Sequence, residues 1–135
     1  MTTYTIGIDI GTTGTKTILF DVERGIVAQA TREATLYSDR AGFAEAETKQ
    51  WYSNVVDSIQ EILHTEGVSP EKIVAISTSG MVPAVVLLDA HGQPLRRAIL
   101  QNDARAASEI DRLSVELASV DLVTVTGSAL TQQSV

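Results

Sequence analysis

Apolar residues alternate with small or acidic ones at the start of the chain: Ile6, Ile8 and Ile10 are separated by Gly7 and Asp9, and a second apolar run passes through Ile18, Leu19 and Phe20. A period of two belongs to a half-buried strand, so residues 4–10 and 15–22 are predicted as an antiparallel pair. A third strand, from Ile26 to about Leu36, follows a turn at 21–25 and completes a meander, with polar members of 28–33 giving it one exposed face. Residues 37–47, with Gly42 and several charges, read as a loop. The period then changes. Trp51, Val55, Ile59, Ile62 and Leu63 recur at helical spacing and form a stripe that faces the sheet, with Thr48 as the expected cap, Gly67 as the stop and Pro70 beyond it. Ile73-Val74-Ala75-Ile76 reads as a short buried strand within 72–77, reached by the helical crossover that a parallel partner needs. A small-residue loop from Thr78 to Ala84 opens beyond its carboxyl end, where ligands tend to enter α/β sheets. Val85 to Leu88, a turn-rich connector at 89–94, Ala98-Ile99-Leu100 and a helix through Ile110, Leu113 and Leu117 follow, with Asp103 as that helix's expected cap. The tail from Asp121 holds Thr126-Gly127 and then polar sequence.

The bend between the first two strands concentrates the candidate chemistry. Gly11 and Gly14 permit positive φ and close approach of backbone N–H groups to an anion, and Thr12, Thr13 and Thr15 add hydroxyls. Such a bend can cradle phosphate. Asp9 stands at the strand end beside it, where a carboxylate near phosphates is tolerable if a cation, hydrated Mg²⁺, lies between them. Lys16 offers a positive charge from the far side. The spacing is neither that of a P-loop, because Lys16 follows Thr15 and not a glycine, nor that of a dinucleotide fingerprint, because strand-forming residues follow the glycines. An ordinary hairpin with glycines that satisfy turn geometry would show the same pattern.

Composition narrows the classes. The 135 residues suffice for one ordinary domain, and 44% hydrophobic content supports a core. No cysteine is present, which rules out disulfides and thiolate metal ligands and suits a reducing cytoplasm. No signal peptide is expected, and no apolar run approaches the roughly 20 residues of a membrane span. A net charge of -7 and 4% aromatic residues argue against nucleic acid and anionic lipid as partners. An anionic nucleotide would need local help from the loop amides, Lys16 and a metal ion. His64 and His91 are read as surface residues, and Trp51 as a packing anchor.

The run from Gly7 to Lys16 resembles the first phosphate motif of the FGGY carbohydrate kinases, a branch of the sugar kinase, Hsp70 and actin superfamily. The resemblance extends over the chain, as an amino-terminal portion of the first domain, similar to xylulokinases and gluconokinases. It implies an α/β, ribonuclease-H-like fold, in which a three-stranded antiparallel meander is extended by parallel strands with flanking helices. It also implies ATP and Mg²⁺ as cofactors, with Gly11, Thr12, Thr13, Gly14 and Lys16 at the phosphates and Asp9 at the metal. Gly42-Phe43-Ala44-Glu45 and Trp51 fit the family's acidic stretch before a Trp-containing helix, although Glu45 and Glu47 by themselves read as a solvated acidic run. Asn102, Asp103 and Arg105 match the family's Trp-x-Asp-x-Arg stretch near the sugar. Gln101 occupies the Trp position, where an amide able to hydrogen-bond hydroxyls replaces an apolar wall.

Met81, Val82, Gln101, Asn102 and Asp103 are the implied sugar-binding positions. Registered on Leu87-Leu88-Asp89, Val82-Pro83 stands where xylulokinases have Met-His and glycerol kinases Arg-Glu, and neither side chain can donate a hydrogen bond to a hydroxyl. The implied activity is ATP-dependent phosphorylation of a ketose or polyol, xylulose-like sugar by a full-length kinase. A non-catalytic, actin-like nucleotide-binding module is the alternative. Full-length members are several times longer, and the resemblance places the aspartate base beyond Val135, so the isolated polypeptide is expected to show no turnover and weak nucleotide affinity. An apolar surface left uncovered would favour a homo-oligomer.

Overall fold

The computed structural model describes residues 3–132. The chain divides into two compact units, one from the described residues up to Leu36 with Glu47–Met81, the other from Tyr37–Ala46 with the described residues from Val82 onward. Each is taken by itself.

In the first unit, β1 (Tyr4–Ile10), β2 (Gly14–Asp21) and β3 (Gly25–Glu33) form the expected antiparallel meander. Asp21 closes its second turn by accepting hydrogen bonds at Oδ1 from the amides of Glu23 and Arg24 (2.8 and 3.0 Å). The short strand β4 (Glu45–Ala46) belongs to the second unit. The helix α1 (Thr48–Glu66) then crosses over to β5 (Ile73–Gly80), which lies parallel to β1, giving the sheet order β3-β2-β1-β5. The helix ends at Gly67 in the left-handed region (φ 60°), and the amide of Val68 reaches back to the carbonyl of Leu63 (3.0 Å), a stop that only glycine makes cheaply. Its start differs from the expectation. Glu47 is the cap residue, its side chain making no capping hydrogen bond to the helix, and Thr48 is the first helical residue.

The period of two sorts the sheet into two faces. Tyr4, Ile6 and Ile8 on β1, Leu19 on β2 and Ala30 on β3 turn toward α1 and form the core with Ile62, with Val55, Ile59 and Leu63 packed against it. Burying a side chain such as Leu19 contributes about 1.5–3 kcal/mol. Thr15 and Thr17 share this face and are fully buried. Thr17 Oγ1 meets Ser58 Oγ of α1 at 2.6 Å, and Asn54 of α1 donates to the carbonyl of Glu33 at 3.0 Å, so the helix is pinned by polar bonds as well as apolar contact. Gly7, Asp9, Lys16 and Ile18 fall on the opposite face.

Two expectations about β5 do not hold. The strand is longer than predicted, since Thr78, Ser79 and Gly80 continue it and the loop starts at Met81. It is also largely exposed, with Val74 at 63% and Ile76 at 58%, because it is an edge strand of which Ile73 packs against the core. The apolar composition that suggested burial serves the pairing with β1.

In the second unit, β4 pairs antiparallel with β6 (Ala98–Ile99). Val85 to Leu88 makes isolated bridges, Val85 with Ile99 and Leu88 with Pro94, around a turn in which Asp89 Oδ1 accepts from the amides of His91 and Gln93 (both 2.8 Å). The helix α2 (Ala107–Glu116) follows, and its cap residue is Ala106 without a side-chain bond, so Asp103 does not cap it. A short helix, α3 (Leu122–Thr126), starts at Asp121, which accepts from the amide of Thr124, and ends at Gly127. This helix is absent from the expectation for the tail, because five residues carry no periodicity. The expected aspartate base beyond Val135 lies outside the described residues.

Candidate functional site

The bend between β1 and β2 is held by two backbone bonds. Gly11 N–H donates to the carbonyl of Gly14 (2.9 Å), and Ala34 N–H donates to that of Thr13 (3.0 Å). Among the described residues, the N–H groups of Thr12 and Thr13 have no protein acceptor. Two adjacent open donors at a strand-to-strand bend can receive an anion. The reason for the glycines differs from the one expected, because neither Gly11 nor Gly14 has positive φ. Close approach requires them. A Cβ on Gly14 would sit 2.5 Å from the carbonyl oxygen of Arg32, and one on Gly11 3.2 Å from that of Gly14 and 3.9 Å from Asp9 Oδ2.

Asp9 and Lys16 are cross-strand partners next to this bend. Both line a cavity of about 320 Å³ on the sheet face opposite α1, with Gly7, Ile18 and the β5 residues Ser77, Thr78 and Ser79 among the others. The hydroxyl of Ser79 donates to Asp9 Oδ1 at 2.7 Å. Asp9 and Lys16 form no ion pair, and Asp9 Oδ2 accepts no hydrogen bond among the described residues. Of the sequence-predicted phosphate residues, Lys16 therefore shares a cavity with Asp9, whereas Gly11 to Gly14 form the adjoining bend without lining it. Sequence reasoning missed Ser77 and Ser79. Three successive hydroxyl residues, 77–79, carry no alternation, so only the extension of β5 through Gly80 sets Ser77 and Ser79 on one strand face.

Among the described residues, no three His, Cys, Asp or Glu side chains gather into a protein-only metal site. One carboxylate with a free oxygen, next to open amides and an ammonium, is the donor set for a cation that keeps several waters and is shared with phosphates, which is how Mg²⁺ is usually held. The residues fit that ion.

The second unit contains a tighter cluster. Asp103, buried, accepts at Oδ2 from the amide of Ala44 (2.6 Å) and from Arg105 Nη2 (2.8 Å), and at Oδ1 from Arg105 N–H (2.9 Å) and Nε (2.7 Å). Arg105 Nη2 also donates to Glu45 Oε1 (2.6 Å), its guanidinium lies 4.0 Å from the centre of the Phe43 ring, and Glu45 pairs with Arg96 as well. Burial opposes the charge on Asp103, but the bonds from Arg105 and from the Ala44 amide outweigh it and hold the carboxyl at about 2. The hydrogen bond to Asp103 likewise drives the Arg105 guanidinium above its ordinary value, and the bond from Arg105 holds Glu45 below the usual carboxylate range. Glu45 is thus no part of a solvated acidic run. It is an ion-pair partner with a side chain 13% exposed.

Gln101 and Asp103 line a cavity of about 60 Å³ with Pro83, Val85, Ile99 and Leu100 among others. Asn102 and Val82 are exposed and do not line it. Met81 lies at the end of β5, where its amide donates to the carbonyl of Ile10 (3.1 Å).

Residues 4–134 match the FGGY family of carbohydrate kinases, N-terminal domain. The chain is 34% identical over 111 residues to the xylulose kinase of Bacillus subtilis, covering 82% of this chain and 22% of that protein. It is 36% identical over 105 residues to the glycerol kinase of a Synechocystis species, covering 77% and 21%. The crystal structure of xylulose kinase from Rhodospirillum rubrum superposes with a TM-score of 0.88 at 41% identity, covering 95% of this chain and 26% of that one. The chain thus spans about a quarter of the length of the proteins it matches. Its mixed sheet with a helical crossover is the ribonuclease-H-like fold of actin, Hsp70 and the sugar kinases. On this match, which takes in nearly every residue, the chain belongs to the FGGY family of carbohydrate kinases, in whose N-terminal domain residues 4–134 fall.

Proposed function

We propose that this chain forms the nucleotide-phosphate portion, and part of the sugar-binding portion, of an ATP-dependent kinase that phosphorylates a hydroxyl of a ketose or polyol, xylulose-like sugar. The observation that carries this reading is the bend with the open Thr12 and Thr13 amides beside Asp9 and an unpaired Lys16. Phosphoryl transfer is catalysed mainly by positioning and by electrostatic stabilisation of the phosphates. In this reading the two amides and the Lys16 ammonium bind phosphate oxygens, and Asp9 would hold the hydrated Mg²⁺. When bound, that ion would neutralise phosphate charge. Asp9 is the cation's carboxylate and not the base that takes the alcohol proton. Gln101 would offer its amide to a sugar hydroxyl. Val82, exposed and apolar, has no such donor.

ATP-dependent chemistry of this kind fits a cytoplasmic protein. Among the described residues no helix is long and apolar enough to cross a membrane. The exposed edge strand β5, with Val74 and Ile76, supports self-association into a homo-oligomer.

Calorimetric titration of the chain with Mg·ATP tests the phosphate reading. A weak saturable heat is expected, reduced about tenfold in affinity by Lys16→Ala, which removes a charge-assisted bond. Identical heats in the wild type and in Lys16→Ala and Asp9→Ala would overturn it. A screen of ketoses and polyols in the presence of Mg·ATP then identifies the sugar.

A further inference from the structure

We infer that Ser79 is a positioning residue that keeps Asp9 from pairing with Lys16, so that one carboxylate oxygen stays available to a cation and the ammonium stays available to phosphate. This inference rests on the phosphate reading of the same site.

Three strands meet at this point. Asp9 is the cross-strand partner of Lys16 on β2 and of Ser79 on β5, so the carboxylate stands between an ammonium on one side and a hydroxyl on the other. Directly opposed side chains on an antiparallel pair have Cβ atoms about 5 Å apart, well within reach of a lysine–aspartate contact. The shared face of the sheet carries Gly7, Ile18 and Ser77 beside them, and none of these bonds to Asp9. The bond that Asp9 does make is the one from Ser79, at 2.7 Å to Oδ1. A carboxylate accepts only, and a hydroxyl has a single proton to give, so this bond engages one oxygen and leaves the second open.

The open oxygen, Oδ2, is on the side of the bend. A Cβ at Gly11 would lie 3.9 Å from it, an ordinary contact distance, which puts this oxygen beside the bend. Without the Ser79 proton, nothing among the described residues holds Asp9 toward β5. The side chain can then turn to Lys16, and each of the two charged groups loses its free valence to the other. A hydroxyl suits this task better than a second charge. A carboxylate at position 79 would repel Asp9, and an ammonium would neutralise it.

The experiment measures ATP affinity of the chain with and without Mg²⁺ and takes the ratio, the metal enhancement, as its readout. Asp9→Ala tests the underlying reading, and Ser79→Ala and Ser79→Thr test the inference. Ser79→Ala is expected to lower the enhancement about tenfold, as loss of a hydrogen bond to a metal-binding carboxylate commonly does, and Ser79→Thr to keep most of it. The double variant Ser79→Ala/Lys16→Met is expected to recover part of the enhancement lost in Ser79→Ala. A role in strand stability alone would not be relieved by removing a charge on another strand. If Asp9→Ala abolishes the enhancement while Ser79→Ala matches the wild type, the inference is overturned and the phosphate reading stands. An enhancement as low in the double variant as in Ser79→Ala also overturns it. Should Asp9→Ala leave the enhancement intact, the reading itself fails and the inference goes with it. Far-UV circular dichroism of each variant registers any loss of β5, and an unfolded Ser79→Ala transfers the decision to Ser79→Thr, for which a lost enhancement in a folded chain counts against the inference.

Discussion

Gly14 has no room for a side chain, because any Cβ there would press on the carbonyl of Arg32 in the neighbouring strand. Gly14→Ala is therefore expected to destabilise the fold by about 1–3 kcal/mol, the usual cost of overpacking a fixed backbone, whereas Gly11→Ala should be milder. Urea midpoints measure both, and an unshifted Gly14→Ala would mean that β3 yields. Asp103 makes a prediction about pH. Its carboxyl titrates at about 2 when folded and near 3.9 in an unfolded chain, so its ionised form stabilises the fold above the unfolded value and that contribution fades as pH falls through about 4 toward 2. The effect is on the order of 2 kcal/mol, and Asp103→Asn should flatten stability against pH across that interval. At this scale the sequence was informative where a local rule applied. Asp9 and Lys16 could be singled out as the carboxylate and the ammonium that flank the Gly-Thr bend, while their common face follows from the register across it. The clamp on Asp103 could not be singled out, because its donors include an amide 59 positions earlier, and a nearby helix made capping the obvious use of an aspartate.

Among elements, the seam between β2 and α1 is the most specific contact. Ser58 Oγ donates to the carbonyl of Val55 at 3.0 Å, so the proton in the Thr17–Ser58 bond comes from Thr17. That direction makes the two single variants unequal. Ser58→Ala strands a buried hydroxyl and is expected to cost about 1–3 kcal/mol, Thr17→Val less, and the double variant less than the sum. A thermodynamic cycle from urea unfolding checks this, and strict additivity would show that the two hydroxyls do not interact. The helix and the meander were legible because their periods run for several turns and for whole strands. The extent of β5 was not, since Ser77-Thr78-Ser79-Gly80 has the composition of a loop and is held as strand by its pairing with β1. The short α3 left no periodic trace for the same reason of length.

For the molecule as a whole, the net charge of -7 opposes the approach of a nucleotide that also carries negative charge. Salt at about 0.15 M screens this repulsion beyond roughly 8 Å, while contacts at the bend are closer than that. The association rate of Mg·ATP is thus expected to rise as salt is added from low ionic strength, and stopped-flow mixing measures it. A rate that falls with salt would point to a local positive field strong enough to overcome the net charge. Fold class and family were legible through the resemblance carried by the run from Gly7 to Lys16 and by the later stretches at 42–51 and 101–105, since the spacing of the glycines alone also fits an ordinary hairpin. The division into two compact units was not legible, since it depends on which distant segments touch.

The alternation along β2 sets a limit on change at the bend. Thr15 and Thr17 point one way, into the protein, and Lys16 points the other, into the cavity. Deleting Thr13, or inserting one residue beside it, would shift every following position by one step and turn the strand over, driving an ammonium under α1 and setting two hydroxyls where the charge had been. A bend of fixed length is therefore the device that tells this strand which of its sides is wet.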